Sequence, residues 1–212
     1  MLISHKRKFI FVHVPKTAGS SLTSALQPFC HQPQNETINR SLSKIGINVN
    51  WFGPYLNAKY GRKHTTAQQM KIIFPNVVFE EYFKFGFVRN PWDTMVSYYH
   101  FLHSNQSSHR NKKVQALDGF KQYLEYEIKR NKYHQTQFLT DNNGELLVDY
   151  IGRFESLKDD FDKICKKVNV SASMPHSNKS KHKKYQEYYD EETKQMVAEH
   201  WKADIEMFEY TF

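Results

Sequence analysis

The stretch FIFVHVPKTAGSS, residues 9–21, decides the fold of this chain. Residues 9–14 are nearly all apolar instead of alternating, which is typical of a strand buried on both faces of a parallel sheet. A tight turn with one lysine, one glycine and three hydroxyl groups follows, and then a helical segment over 22–26. Backbone N–H groups converge on one point where a strand, a turn of small residues and a helix N-terminus meet. The stretch therefore predicts an anion site with Lys16 as its positive charge.

Apolar runs and helix caps alternate along the rest of the chain. We predict, in order, a helix over 67–74 capped by Thr65 or Thr66, a strand over 83–88, helices over 92–103 and 118–130, a buried strand over 146–154, and helices over 157–168 and 190–208, with loops over 31–63, 104–113 and 171–184. Strands that alternate with helices predict an α/β sandwich with a mostly parallel sheet. Ligands of such sheets lie at the carboxyl ends of the strands.

Composition limits the class of protein. A chain of 212 residues predicts a single domain over 1–212, with irregular insertions near 31–63 and 104–117. The formal net charge is +8 and the pI is about 9.3, which suits anionic partners such as nucleotides, acidic glycans, nucleic acid or anionic lipid. No run approaches the ~18 apolar residues of a membrane helix. We therefore expect a soluble, cytoplasmic protein, unless a membrane anchor precedes this segment.

The two cysteines give no sign of a metal or redox site. Cys30 and Cys165 are far apart in sequence and no CxxC motif is present. The two residues could form a single disulfide or remain as two reduced, partly buried thiols, and the second alternative is favoured.

The turn after the first strand is not a Walker A loop. That motif, GxxxxGK[ST], needs a second glycine and places its lysine directly before the hydroxyl, whereas here Lys16 precedes Gly19. The residues therefore favour an anion site over an ordinary site for ATP with magnesium.

A second anion site is indicated at the end of the strand over 83–88. Arg89 follows that strand, and a guanidinium group is a fork suited to phosphate. Ser97 lies on the helix that begins just after it and can point back to the same group. The alternative is a structural pair between Arg89 and Asp93 at the start of the helix.

Together these motifs resemble a known family. PKTAGSS after an FVHV strand, followed by FVRNPWDTMVSYYHF, resembles the 5′-phosphosulfate and 3′-phosphate motifs of PAPS-dependent sulfotransferases, above all the carbohydrate sulfotransferases and their small bacterial relatives. The likeness continues through HTTA at 64–67, IGRFESL at 151–157 and YYDEET at 188–193. It implies a P-loop-like three-layer α/β sandwich that uses PAPS as donor, releases PAP and needs no metal.

The resemblance also implies residue roles. The 5′-phosphosulfate would be held by Lys16, Thr17, Ala18, Gly19, Ser20 and Ser21. The 3′-phosphate would be held by Arg89 and Ser97. Phe154 would lie near the adenine, and the loop over 177–181 would close over the nucleotide.

His64 is the candidate general base, because the resemblance places it where the proton of the acceptor hydroxyl is taken. A histidine titrates near neutrality, which suits this task. By itself, a histidine before a helix cap is more often structural. His13 is the rival, although its place in an apolar strand predicts a core residue. Lys16 is the second catalytic candidate, since it would stabilise the charge that grows on the bridging oxygen of the leaving nucleotide.

The acceptor is predicted only as a class. We expect a saccharide, and the basic surface suggests an acidic one. The insertions near 31–63 and 104–117 would line the acceptor side, where Trp51, Phe52 and Tyr55 would either stack on a sugar or fill a local core. Two other functions remain open, a nucleotide kinase or other phosphotransferase, and a non-enzymatic polyanion-binding module. No nucleic-acid-binding motif is present, so we expect no nucleic-acid partner.

Overall fold

The computed structural model describes residues 1–30, 64–174 and 183–212. The predicted loops over 31–63 and 177–181, with Trp51, Phe52 and Tyr55, lie outside the described residues. The described part confirms the α/β fold. Its four-stranded sheet consists of β1 (Leu2–Ser4), β2 (Phe9–Val12), β3 (Phe83–Val88) and β4 (Tyr150–Arg153), in the order β1-β2-β3-β4. β1 is antiparallel to β2, and the other pairs are parallel.

The helices of the described residues alternate with these strands. In chain order they are α1 (Gly19–Leu26), α2 (Ala67–Ile73), α3 (Asn76–Glu81), α4 (Pro91–Ser104), α5 (Asn111–Gln115), α6 (Gly119–Arg130), α7 (Thr136–Leu139), α8 (Leu157–Lys167), α9 (Glu191–His200) and α10 (Lys202–Met207). None of them is long and apolar enough to cross a membrane.

The chain divides into two compact units. The sheet unit comprises Met1–Val88 and Gln137–Ser177, and the helical unit comprises Arg89–Thr136 and Asn178–Phe212. Compact units can belong to one domain, so the single-domain organisation stays a prediction.

The core of the sheet unit forms where aromatic side chains of β2 and β3 meet two helices. Phe9 and Phe11 pack with Phe85 and Phe87 on one face of the sheet, and side chains of α1 and α8 join the same cluster. On the other face, Leu139 packs directly against the backbone of Gly86, where a Cβ would lie 2.6 Å from the leucine side chain. All four residues of β2 are buried, which confirms the prediction of a strand covered on both faces.

The parallel register places the carboxyl ends of the strands at one edge of the sheet. Val12 pairs with Gly86, and Val88 pairs with Arg153. The turn between β2 and α1 therefore lies at the edge where ligands of parallel sheets bind.

Local capping signals predicted several boundaries correctly. Thr66, not Thr65, caps α2, and a capping box forms because Thr66 and Gln69 exchange backbone-to-side-chain bonds at 3.1 and 3.2 Å. Asn90 caps α4 by accepting from the Trp92 N–H at 3.0 Å, with Pro91 as the first helical residue.

Other predicted elements are wrong in extent. The strand predicted over 146–154 is only Tyr150–Arg153, because Leu146 is 48% exposed and makes an isolated bridge with Thr140. The helix predicted over 190–208 breaks at the buried Trp201 into α9 and α10.

Two parts of the chain were not predicted correctly, the segment before α5 and the strand β1. The exposed loop predicted over 104–113 contains a buried Arg110, because its guanidinium pairs with the fully buried Glu127, and α5 begins at the next residue. The strand β1 was not predicted, since three residues give too short a pattern.

Candidate functional site

The β2–α1 turn has a backbone in which the sign of φ alternates. Lys16 and Ala18 have φ values of 67° and 60°, while Thr17 and Gly19 are not among the residues with positive φ. Alternation of this kind turns successive N–H groups toward one concave side and makes an anion-binding nest. The left-handed conformation costs a non-glycine residue roughly 1–2 kcal/mol, and such strain is concentrated at functional sites.

Gly19 is required because a side chain would not fit at this position, and not because its φ is positive. A Cβ at this position would lie 1.9 Å from Nε2 of His13 and within 2.6 Å of two other ring atoms. The buried His13 ring, predicted as a core residue, therefore packs directly against the first residue of α1. The sequence pattern placed a glycine correctly in the turn, but it did not show that the left-handed positions are the lysine and the alanine.

The first turn of α1 supplies further donors. The first bond inside the helix runs from the Leu22 N–H to the Ala18 carbonyl at 3.1 Å, so the N–H groups of Gly19, Ser20 and Ser21 have no acceptor within the helix. Ser20 is exposed and Ser21 is half-buried, whereas Thr17 is buried and donates its hydroxyl to the Val14 carbonyl at 2.9 Å. The Thr17 hydroxyl therefore closes the turn, and only its N–H group can serve an anion.

His64 has a defined tautomer. Its Nδ1 lies 3.0 Å from the backbone carbonyl oxygen of His13, and the two rings meet edge to face at 4.6 Å. A carbonyl oxygen only accepts, so Nδ1 carries the proton and the lone pair of the neutral ring is on Nε2. The ring is exposed and is held beside the strand that leads into the β2–α1 turn. The structure thus brings His64 to His13 and orients its basic nitrogen.

Arg89 begins the helical unit, where it is buried and fixed at several points. Its Nε donates to Oδ2 of Asp93 at 2.8 Å, so the pair considered as a structural alternative does form. Ser97 is buried four residues beyond Asp93 on α4, and residues at this spacing lie on one face of a helix. Arg89, Asp93 and Ser97 therefore share one side of the helical unit.

Gln135 and Asp204 hold the backbone of Arg89, and sequence reasoning missed both. The Gln135 side chain accepts from the Arg89 N–H at 2.8 Å and donates to the Arg89 carbonyl at 2.7 Å. The Asp204 carboxylate in turn accepts from the N–H groups of Gln135 and Thr136 at 2.7 and 2.8 Å. Burial raises the pKa of Asp204, and these donors oppose the rise. No local signal marks either residue, because they lie 46 and 115 positions after Arg89.

The residues after β4 are anchored by a second buried carboxylate. Asp160 accepts from the Arg153 N–H at 2.9 Å and from the hydroxyls of Ser156 and Tyr150 at 2.7 and 2.8 Å. Burial alone would raise its pKa, but these bonds and the Lys163 ammonium hold the pKa well below its usual range. Phe154, between Arg153 and Ser156, is therefore on a fixed segment and is half-buried.

Among the residues that the structure describes, no group of three or more His, Cys, Asp and Glu side chains is placed to hold a metal ion. Both cysteines are free, and burial raises the pKa of Cys30 to about 12.

Comparison with known proteins gives three results. A family model described as "Sulfotransferase family" matches residues 1–211. No curated protein matches the chain. Among solved structures, the mouse sulfotransferase SULT7A1 complexed with PAP matches with a TM-score of 0.53 at 13% sequence identity, over 96% of this chain and 85% of that chain. At this identity the structural match shows a common fold.

Proposed function

Because the chain belongs to the sulfotransferase family, we propose that it transfers a sulfuryl group from PAPS to a hydroxyl group of a carbohydrate and releases PAP. The observation that carries the proposal is the β2–α1 turn. It combines a backbone whose φ alternates in sign, the N-terminus of α1 and the residue Lys16 at the carboxyl edge of the parallel strands. These groups fit a phosphosulfate, which presents several anionic oxygens at one end of the donor.

Lys16 would act at the bond that breaks. In the proposed reaction the acceptor oxygen forms a bond to sulfur, and the bridging oxygen between sulfur and the 5′-phosphate leaves with the electron pair. Lys16 stabilises the charge on that leaving oxygen. The N–H groups of Gly19, Ser20 and Ser21, with the two serine hydroxyls, hold the remaining oxygens in line, so positioning and charge supply most of the rate.

His64 would take the proton of the acceptor hydroxyl. Its Nε2 carries the lone pair because Nδ1 donates to the His13 carbonyl. When Nε2 gains the proton, the ring becomes a cation and its bond to that carbonyl becomes charge-assisted and stronger. The His13 carbonyl therefore both selects the tautomer and stabilises the protonated base.

Arg89 and Ser97 would bind the 3′-phosphate of the nucleotide. The guanidinium is held by Asp93 through Nε, and the backbone is held by Gln135, so the group is ordered before the ligand arrives. A fixed guanidinium fork matches a phosphate with little loss of conformational freedom.

The first experiment tests the donor. Calorimetric titration with PAP, with 5′-AMP and with ATP plus magnesium should give the tightest binding for PAP. Arg89→Ala should weaken PAP binding far more than 5′-AMP binding, and Lys16→Ala should lower both affinity and rate. Tighter binding of ATP with magnesium, or equal losses for PAP and 5′-AMP in Arg89→Ala, would contradict the assignment.

The second experiment tests the base. His64→Ala should lower turnover by about 10²–10⁴-fold while the Kd for PAP stays within a few-fold. His103→Ala is a matched control, because Nδ1 of His103 also bonds a backbone carbonyl, that of Tyr99, at 2.9 Å. Turnover of His64→Ala near that of the wild type would show that another group takes the proton.

A further inference from the structure

The sheet unit contains a pocket lined by polar residues that the proposed mechanism does not use. Its volume is about 390 Å³, within the range of about 300–1,000 Å³ found for small-molecule sites. Its described lining comes from two segments: Thr66, Gln68 and Gln69 at the start of α2, and Gln137, Thr140, Asp141 and Asn142 further along the chain. Every side chain of that lining is an amide, a hydroxyl or a carboxylate.

Several of these groups remain available to a ligand. Within the described residues, the side-chain amides of Gln68, Gln137 and Asn142 form no hydrogen bond to protein. Each amide offers one carbonyl oxygen that accepts and one NH₂ group that donates. A carbohydrate hydroxyl both donates and accepts, so neighbouring hydroxyls of a sugar ring match such a set.

Asp141 is the one charged side chain of the described lining. Its Oδ1 accepts from the N–H groups of Asn143 and Glu145 at 2.8 and 2.9 Å, which fixes the turn. Its Oδ2 accepts from no residue in the described part of the chain. A fixed carboxylate accepts hydrogen bonds from hydroxyl groups but repels a carboxylate or sulfate on a ligand.

The pocket begins close to His64. Thr66 caps α2 and is two residues after His64. Consecutive Cα atoms are about 3.8 Å apart, so the Cα atoms of His64 and Thr66 lie within about 7 Å of each other. The pocket lining therefore begins within about 7 Å of the backbone of the candidate base.

We propose that this pocket is the acceptor subsite and that it binds an uncharged saccharide ring. The inference rests on the proposed sulfotransferase function and narrows its acceptor. The amides and Asp141 select hydroxyl groups and disfavour an acidic sugar. The described lining offers a phenol or a sterol no aromatic or branched aliphatic side chain to pack against.

The test measures sulfuryl transfer from PAPS by the full chain to three acceptors: lactose, a uronic-acid disaccharide of the same size, and 4-nitrophenol. Lactose should have the highest kcat/KM. Gln137→Ala and Asn142→Ala should each raise its KM by about 2–10-fold, the effect of one hydrogen bond, with kcat and the Kd for PAP unchanged. Asp141→Asn keeps the turn-forming oxygen and should raise kcat/KM for the uronic acid relative to lactose. Gln195→Ala, an exposed amide on α9, is the matched control.

Saturation-transfer NMR with lactose gives a readout that needs no turnover. Binding that weakens in Gln137→Ala but not in Gln195→Ala supports a saccharide site in the pocket. If no acceptor is sulfated in that case, the saccharide site stands and the sulfotransferase function fails. Transfer that favours the uronic acid overturns the proposed subsite and leaves the function standing. Transfer that favours the phenol overturns both the subsite and the carbohydrate acceptor, and leaves only sulfuryl transfer from PAPS. An unchanged KM for lactose in Gln137→Ala and Asn142→Ala, or no lactose binding by the wild type, also overturns the pocket.

Discussion

Replacing Gln135 by leucine should destabilise the helical unit, because Gln135 holds both backbone groups of Arg89. Leucine has a similar volume and no polar atom, so the N–H and the carbonyl of the buried Arg89 would lose their partner. A buried group left without its partner costs about 1–3 kcal/mol, and two groups together about 2–6 kcal/mol. This is a large share of the total stability of a typical domain, about 5–15 kcal/mol.

Urea unfolding, followed by circular dichroism and by tryptophan fluorescence, measures this loss. Gln122→Leu is the matched control, because Gln122 also accepts from a backbone N–H, that of Asp118 at 2.9 Å, but it is exposed. That variant should stay within about 0.5 kcal/mol of the wild type.

Gln135→Glu tests the geometry without a change of shape. At neutral pH the new carboxylate would face the Arg89 carbonyl, so its pKa in the folded state should lie above the unfolded value of about 4.3. The protonated acid both donates and accepts, as the amide does. Because the folded pKa is the higher one, the deficit is full at pH 7 and shrinks as the pH falls through the folded pKa. Gln122→Glu, measured at each pH, corrects for general effects of acid.

Two results would refute this reasoning. One is a Gln135→Leu protein within about 0.5 kcal/mol of the wild type. The other is a Gln135→Glu deficit that does not change between pH 7 and pH 5. Gln135→Leu should also weaken binding of PAP more than of 5′-AMP, and equal losses would mean that the bonds to the Arg89 backbone do not serve its side chain.

Three further predictions test other parts of the fold. Gly19→Ala should lower the free energy of unfolding by about 1–3 kcal/mol, because the new Cβ clashes with the buried His13 ring. Ala18→Gly should leave that free energy level or raise it by up to about 1 kcal/mol, because residue 18 has a positive φ. Equal urea midpoints for the two variants would disprove the account of the turn. Cys30 should react with iodoacetamide at pH 8 much faster in the unfolded than in the folded protein, because burial raises its pKa to about 12, and equal rates would disprove this. Burial lowers the pKa of both His134 and His200 below the unfolded value of 6.5, so the unfolded state binds protons first as the pH falls. The free energy of unfolding should therefore decrease as the pH drops below 6.5. The double variant His134→Gln/His200→Gln should show a smaller drop in its urea midpoint between pH 7.5 and pH 5.5.

The elements predicted correctly are those with local causes. The apolar run before Pro15, the cap at Thr66 and the Asn90-Pro91 pair each act within a few residues, so the sequence pattern is sufficient. The errors have distant causes. Arg110 is buried because it pairs with Glu127. α9 ends at Trp201, whose buried indole donates to the distant Lys132 carbonyl at 3.3 Å, and no glycine or proline signals the break.

The same distinction holds for the candidate site. The charged groups Lys16, His64 and Arg89 could be selected from their motifs. The left-handed backbone at Ala18 could not, because neither the residue type nor its neighbours favour it. The hydrogen bond from His64 to the His13 carbonyl joins residues 51 positions apart, so the tautomer of His64 could not be predicted from the sequence either.

The order of the strands has a consequence for synthesis on the ribosome. β1 and β2 are joined by a short turn, but β2 pairs in parallel with a segment 74 residues later, where Phe9 meets Phe83. At about 5–20 residues per second, roughly 4–15 s pass before that partner has been translated. During this interval the apolar FIFV strand has one unpaired edge, which is a template for wrong pairing with another chain. We therefore expect a nascent-chain chaperone to bind this strand, residues 9–12, in preference to the other strands of the sheet.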